Sequence, residues 1–127
     1  MPRVLIVDDS PTMRKMVQSA LRPLHPECRE ASNGLEALEQ LALDSCDLMI
    51  LDLNMPDMHG LEVIQYARRH DAYRRLPILV LTTRTEDETR ERVLQAGADR
   101  YCTKPFQPQA LVSAVEELLG AAQGPQE

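Results

Sequence analysis

A chain of 127 residues is long enough to bury one real core without disulfide or metal staples. With 43% hydrophobic and 27% charged residues it reads as a folded, soluble protein, and no apolar run approaches the length of a membrane span. A net charge of -6, with 3% aromatic residues and no tryptophan, argues against a protein that coats duplex phosphates or stacks single-stranded bases, so direct nucleic-acid binding is not expected.

The N-terminus enters a strand-like segment without a signal-peptide pattern, which predicts a cytoplasmic location. Cys28, Cys46 and Cys102 are odd in number, widely spaced and free of any CxxC pattern, so reduced thiols are expected. His25, His59 and His70 form no metal-spaced cluster.

Arg3 to Val7 predicts a first strand, ending in Asp8-Asp9-Ser10-Pro11. Ser10 or Asp9 is placed to cap the next helix, with Pro11 in its first turn. Met13, Met16, Val17, Ala20 and Leu21 then recur at helical spacing, opposite Arg14, Lys15 and Gln18. Pro23 and Pro26 bracket the break, and the polar run Glu27 to Ala31 suits the edge of a sheet. Asn33-Gly34 marks a turn, and Leu35, Leu38 and Leu41 carry a second helix to about Leu43.

Four apolar residues, Leu48 to Leu51, predict a strand buried on both faces, and Asp52 follows at once. Asn54, Pro56, Asp57 and Gly60 signal a loop. A third helix takes in Leu61, Ile64 and Ala67 and ends at Arg68 and Arg69, which favour the negative end of its dipole. Pro77 opens the buried strand ILVL, ending at Thr82-Thr83. Thr85 begins a fourth helix with acids in its first turn and Gly97 after its last. A fifth strand around Arg100 to Cys102 leads into Thr103-Lys104-Pro105-Phe106. Leu111, Val115, Leu118 and Leu119 define a last helix, and GAAQGPQE reads as a frayed end, giving one domain over 1–121 and a short tail over 122–127.

Strands alternating with helices five times predict an α/β fold, a parallel sheet with helices on both faces. Right-handed connections bring every strand's C-terminal end to one edge, so Asp8, Asp9, Asp52, Thr82 and Lys104 should converge. Three carboxylates facing one ammonium form a negative pocket of oxygen ligands that suits Mg²⁺. Asp52 is then placed as a nucleophile toward a phosphoryl group, with Lys104 and the Thr82 hydroxyl neutralising its oxygens.

The segments VLIVDDSPTMRKMV, LDLNMPDMHGLEV, PILVLTT and AGADRYCTKPF together resemble the receiver (response regulator) domains of bacterial two-component signalling, in particular the stand-alone, CheY-like chemotaxis type. The resemblance implies a flavodoxin-like doubly wound (βα)5 fold with strand order 2-1-3-4-5. It further implies that Asp52 is the phosphoacceptor, that Asp8 and Asp9 position Mg²⁺, and that Asn54 lends the metal its backbone carbonyl. Thr82 resembles the switch hydroxyl and Tyr101 the aromatic that turns inward on activation. Lys104 resembles the phosphate-binding lysine, typically joined to its proline by a cis bond. The donor implied is a sensor histidine kinase or histidine phosphotransfer domain, docking near Arg14 and Lys15. The output implied is a changed protein-binding surface on the fourth helix, fifth strand and fifth helix. No enzymatic turnover is expected beyond the chain's own phosphorylation and dephosphorylation.

Two positions depart from the family pattern. Thr83 is bulkier than the residue receivers usually keep there, and Arg84 with Asn54 flanks the path of a hydrolytic water. Gln107 to Gly120 lacks Lys and Arg, which speaks for a monomer. A receiver cut from a longer hybrid protein and a phosphate sink remain as alternatives. So does a more distant haloacid-dehalogenase-like phosphatase, suggested by LDLN, although Asn54 stands where that chemistry needs an acid.

Overall fold

β3 (Leu48–Leu51) is buried along its whole length, because it lies at the centre of a sheet covered on both faces. The computed structural model describes residues 1–55 and 58–123; Pro56, Asp57 and the last four residues of the expected tail lie outside the described part. β1 (Arg3–Val7), β2 (Glu27–Ala31), β4 (Ile78–Thr82) and β5 (Arg100–Thr103) complete one parallel sheet of order β2-β1-β3-β4-β5. The doubly wound, flavodoxin-like arrangement and the polar edge strand β2 are therefore as expected. Val7 pairs with both Leu51 and Ala31, and Thr82 pairs with Thr103, so the C-terminal ends of the strands finish side by side.

Alternation along the strands divides the core in two. Val4, Ile6, Leu48, Ile50, Leu79 and Leu81 face α1 (Pro11–Ala20) and α5 (Pro108–Gln123). Leu5, Val7, Met49, Leu51, Ile78 and Val80 face α2 (Gly34–Leu43), α3 (Gly60–Arg69) and α4 (Asp87–Ala96). Each sheet face is thus closed by helices whose own apolar stripes supply the rest, such as Val17, Leu111 and Val115 on one side. Ala37, Val63, Ile64 and Val93 do the same on the other.

Several local readings change. Met16 and Leu35 match helical spacing but are 49% and 56% exposed. The buried residue of α1 is Val17, and α2 turns Gly34, Ala37 and Leu41 inward, so the true stripes are narrower and rotated. Asn33 is the cap of α2, accepting from the Glu36 N–H, where a free turn was expected. α4 begins at Asp87, two residues after Thr85, while the Glu86 carboxylate is engaged by Arg84 and Thr89. α5 continues through Gln123, carrying the first residues of GAAQGPQE in helix.

Arg14, expected opposite the apolar face of α1, folds back, donating to Glu30 and to the Asp8 carbonyl. Arg68 donates to the Gly97 carbonyl and to Asp99, tying the end of α3 to the end of α4. Among the described residues no helix is long and apolar enough to cross a membrane.

Candidate functional site

Buried strands end in polar loops at the C-terminal edge of the sheet, and that edge delivers side chains from four separate segments. β1 runs straight into Asp8, whose N–H donates to the Ala31 carbonyl of β2; β3 runs straight into Asp52, whose N–H donates to the Val7 carbonyl. These backbone bonds hold two carboxylates at the margin of the core, where Asp8 is 4% and Asp52 5% exposed. Asp9, the next residue along, is exposed. One oxygen from each of the three lies within 4.8 Å of the others. Oxygen-only donors at this spacing, with water reaching one of them, fit a small hard cation.

Lys104 enters from the loop after β5. Its Nζ is 2.6 Å from Asp8 Oδ2 and 3.5 Å from Asp52 Oδ2, with the side chain only 10% exposed. The Lys104 N–H donates to the Thr82 carbonyl, and the peptide bond to Pro105 is cis, as expected. Thr82, fully buried at the end of β4, accepts at Oγ1 from the Arg84 N–H at 3.3 Å.

The Asp52 carboxyl is pushed above its ordinary range chiefly by burial, and Asp8 adds to the rise. Lys104, the Asn54 N–H and the Thr82 hydroxyl pull it back. Asp8 in turn accepts from the Ser10 N–H at 2.9 Å, while the Ser10 hydroxyl caps α1 by accepting from the Met13 N–H. The short Asp8-Asp9-Ser10-Pro11 segment thus serves both the carboxylate pair and the helix start.

Asn54 donates its N–H to Asp52 Oδ1 at 3.3 Å, and its side chain lies toward solvent. Arg84 spans the rim: Nη1 is 3.5 Å from Asn54 Oδ1, Nε donates to Glu86 and Nη2 to Thr89. Thr83 is exposed beside it. Tyr101 packs against the α2–α4 side of the core, and its hydroxyl donates to the Arg84 carbonyl at 2.7 Å. Asp8, Asp9, Asp52, Thr82 and Lys104 therefore come together as predicted, with Asn54 adjoining them. Tyr101 joins indirectly, through the Arg84 backbone.

What sequence reasoning missed is the wiring. Arg14 at the Asp8 carbonyl carries no periodic or motif signal, because its side chain folds back onto the preceding loop, whereas the place of Arg84 beside Asn54 came from the family resemblance alone. The thiols take no part in the site. Burial pushes Cys46 up to about 11 and also raises Cys28 and Cys102, as for reduced, half-buried cysteines.

An acidic strand-end pocket with a buried lysine, on a five-stranded parallel sheet, defines a signalling module of the receiver class. The model of the response regulator receiver domain matches residues 4–116, and the chain belongs to that family. It is 37% identical over 124 residues to a chemotaxis protein CheY homolog of Campylobacter jejuni, covering 96% of this chain and 95% of that protein. The chemotaxis protein CheY4 of Vibrio cholerae is similar in structure, with a TM-score of 0.86 at 36% identity, covering 93% of this chain and 98% of that one. This chain is also 35% identical to the phosphate regulon transcriptional regulatory protein PhoB of Pseudomonas aeruginosa, over 91% of its own length and 51% of that protein. The chain is thus a receiver domain of the CheY-like response regulators, a switch in phosphorylation-based two-component signalling rather than a classical enzyme.

Proposed function

We propose that Asp52 accepts a phosphoryl group from a phosphohistidine of a sensor kinase or histidine phosphotransfer domain, and that the acyl phosphate changes the protein-binding surface of α4, β5 and α5. An Asp52 oxygen forms the new P–O bond as the P–N bond to the donor imidazole breaks, and the released imidazole nitrogen keeps the electron pair and takes up a proton. The observation that carries this reading is the meeting of Lys104 Nζ with Asp8 at 2.6 Å and Asp52 at 3.5 Å across a gap of 96 residues, in a pocket of three carboxylates.

Within this reading Lys104 moves its charge from Asp8 toward the incoming phosphoryl oxygens, and the Thr82 hydroxyl donates to another of them. Asp8 and Asp9, together with Asp52 and the Asn54 carbonyl, hold Mg²⁺, which when bound neutralises phosphoryl oxygen charge. Thr82 is the switch hydroxyl. Its neighbour Arg84 gives it a backbone link to the Tyr101 hydroxyl, so a shift of Thr82 toward the phosphoryl group is felt at Tyr101.

Similarity to CheY homologues along nearly the whole chain supports a chemotaxis-type regulator, and the lack of Lys and Arg from Gln107 to Gly120 supports a monomer. A second reading, the receiver of a larger regulator, is favoured by the match to about half of PhoB. The phosphatase reading is weaker, because Asn54 supplies an amide where a leaving group needs a proton. The deciding measurement is intact mass after incubation with Mg²⁺ and acetyl phosphate. One added phosphate is expected on the wild type and none on Asp52→Ala; uptake by the variant would overturn the assignment.

A further inference from the structure

Beside the phosphorylation pocket, between α3 and α4, a crevice of about 310 Å³ opens to solvent. Its floor is aliphatic: Leu53 and Val93 are buried, and Leu61 packs against the same core. Its rim carries two guanidiniums, Arg84 and Arg92 on the α4 side, with the His59 ring at the start of α3. Among the described residues the one carboxylate on the lining is Glu62, and it already accepts from the His59 N–H. Two guanidiniums thus meet one carboxylate on the lining itself, while Glu86 and Glu88 pair with the arginines from outside it.

Arg92 is the more loosely held of the two arginines. Arg92 meets Glu88 at 3.6 Å in an exposed pair one helical turn apart, a kind of contact that contributes little. Arg84 is shared among Asn54, Glu86 and Thr89, so an anion seated in the crevice competes for a guanidinium that also touches the phosphorylation loop. The volume is at the small end of the range for organic ligands and far too small for a folded element.

We propose that this crevice is a regulatory site for a small organic anion, an aromatic or branched aliphatic group bearing one carboxylate. The apolar group covers Leu53, Leu61 and Val93, while the carboxylate pairs with Arg92 and draws Arg84 away from Asn54. Loss of the Arg84 contact alters the surroundings of the acyl phosphate and hence its lifetime; this second step rests on the function proposed above, whereas binding does not.

Benzoate titrated into the isotopically labelled full chain, in the Asp52→Asn background without Mg²⁺, isolates binding from phosphorylation. Saturable shifts at Leu61, Thr89 and Val93 are expected. Acetate should reproduce them far more weakly, and Arg92→Gln should weaken benzoate by about tenfold, the effect of one charge-assisted hydrogen bond. Absence of those shifts, equal effects of acetate, or undiminished binding to Arg92→Gln would overturn the site. In phosphorylated wild type, saturating benzoate should change the lifetime of the phosphate by about fivefold. An unchanged lifetime alongside intact binding would overturn the regulatory role, and failure of Asp52 to take phosphate would leave the binding result standing.

Discussion

Lys104 separates two carboxylates that would otherwise face each other at the dry margin of the core. Removing it leaves Asp8 and Asp52 buried without their cation. Lys104→Ala should therefore lower stability at neutral pH by about 3 kcal/mol in urea unfolding, with much of the loss restored by Mg²⁺. Asp52 behaves in the opposite sense. Its folded pKa lies above the ordinary 3.8, mainly through burial, so the native state holds a proton that the unfolded chain releases. Stability from this group is full at acid pH, falls as pH rises from about 3.8 through the raised folded value, and stays low above it. Asp52→Asn should accordingly melt higher than wild type at pH 7 without Mg²⁺, and the two curves should meet in acid; equal melting temperatures at pH 7 would refute this. Asp52 and Lys104 were legible as residues because each ends a recognisable strand. The nearness of Arg84 to Asn54 was legible only through the family resemblance, since the contact spans 30 residues.

At the scale of elements, strands were easier to read than helix faces. A fully buried strand needs only a short apolar run, and Leu48–Leu51 and Ile78–Thr82 are such runs. A helix stripe depends on how the helix is rotated against the sheet, and spacing alone put Met16 and Leu35 inside although they face water. The end of α4 shows how a local signal acquires a tertiary reason. Gly97 has φ +125°, and a Cβ there would lie 2.6 Å from Arg68 Cγ, the side chain that donates to the Gly97 carbonyl. Gly97→Ala combines left-handed strain with the displacement of Arg68, and should cost about 2 kcal/mol in chemical denaturation. The acidic pocket should keep the capacity for phosphate proposed for it, because the change lies at the opposite end of α4 from Arg84.

Across the whole molecule, the ends of β1, β3, β4 and β5 act as one device because the sheet is parallel. A ligand gripping Asp8, Asp9 and Asp52 therefore joins the first and third strands, and its binding energy appears as folding energy. Mg²⁺ at a hundred times its dissociation constant should raise unfolding free energy by about 2.7 kcal/mol, with the gain largely lost in Asp52→Asn; calorimetry with and without the ion checks this. By itself the sequence determined the number and type of elements, the parallel sheet, and which carboxylates, hydroxyl and lysine stand at strand ends, since these follow from local patterns and short-range sterics. Tertiary structure alone decided how those groups touch: the 2.6 Å Lys104–Asp8 pair, the link from Thr82 through the Arg84 backbone to Tyr101, and the crevice between α3 and α4. Such contacts join residues tens of positions apart, and their distances depend on helix rotation and side-chain reach, which no local pattern encodes.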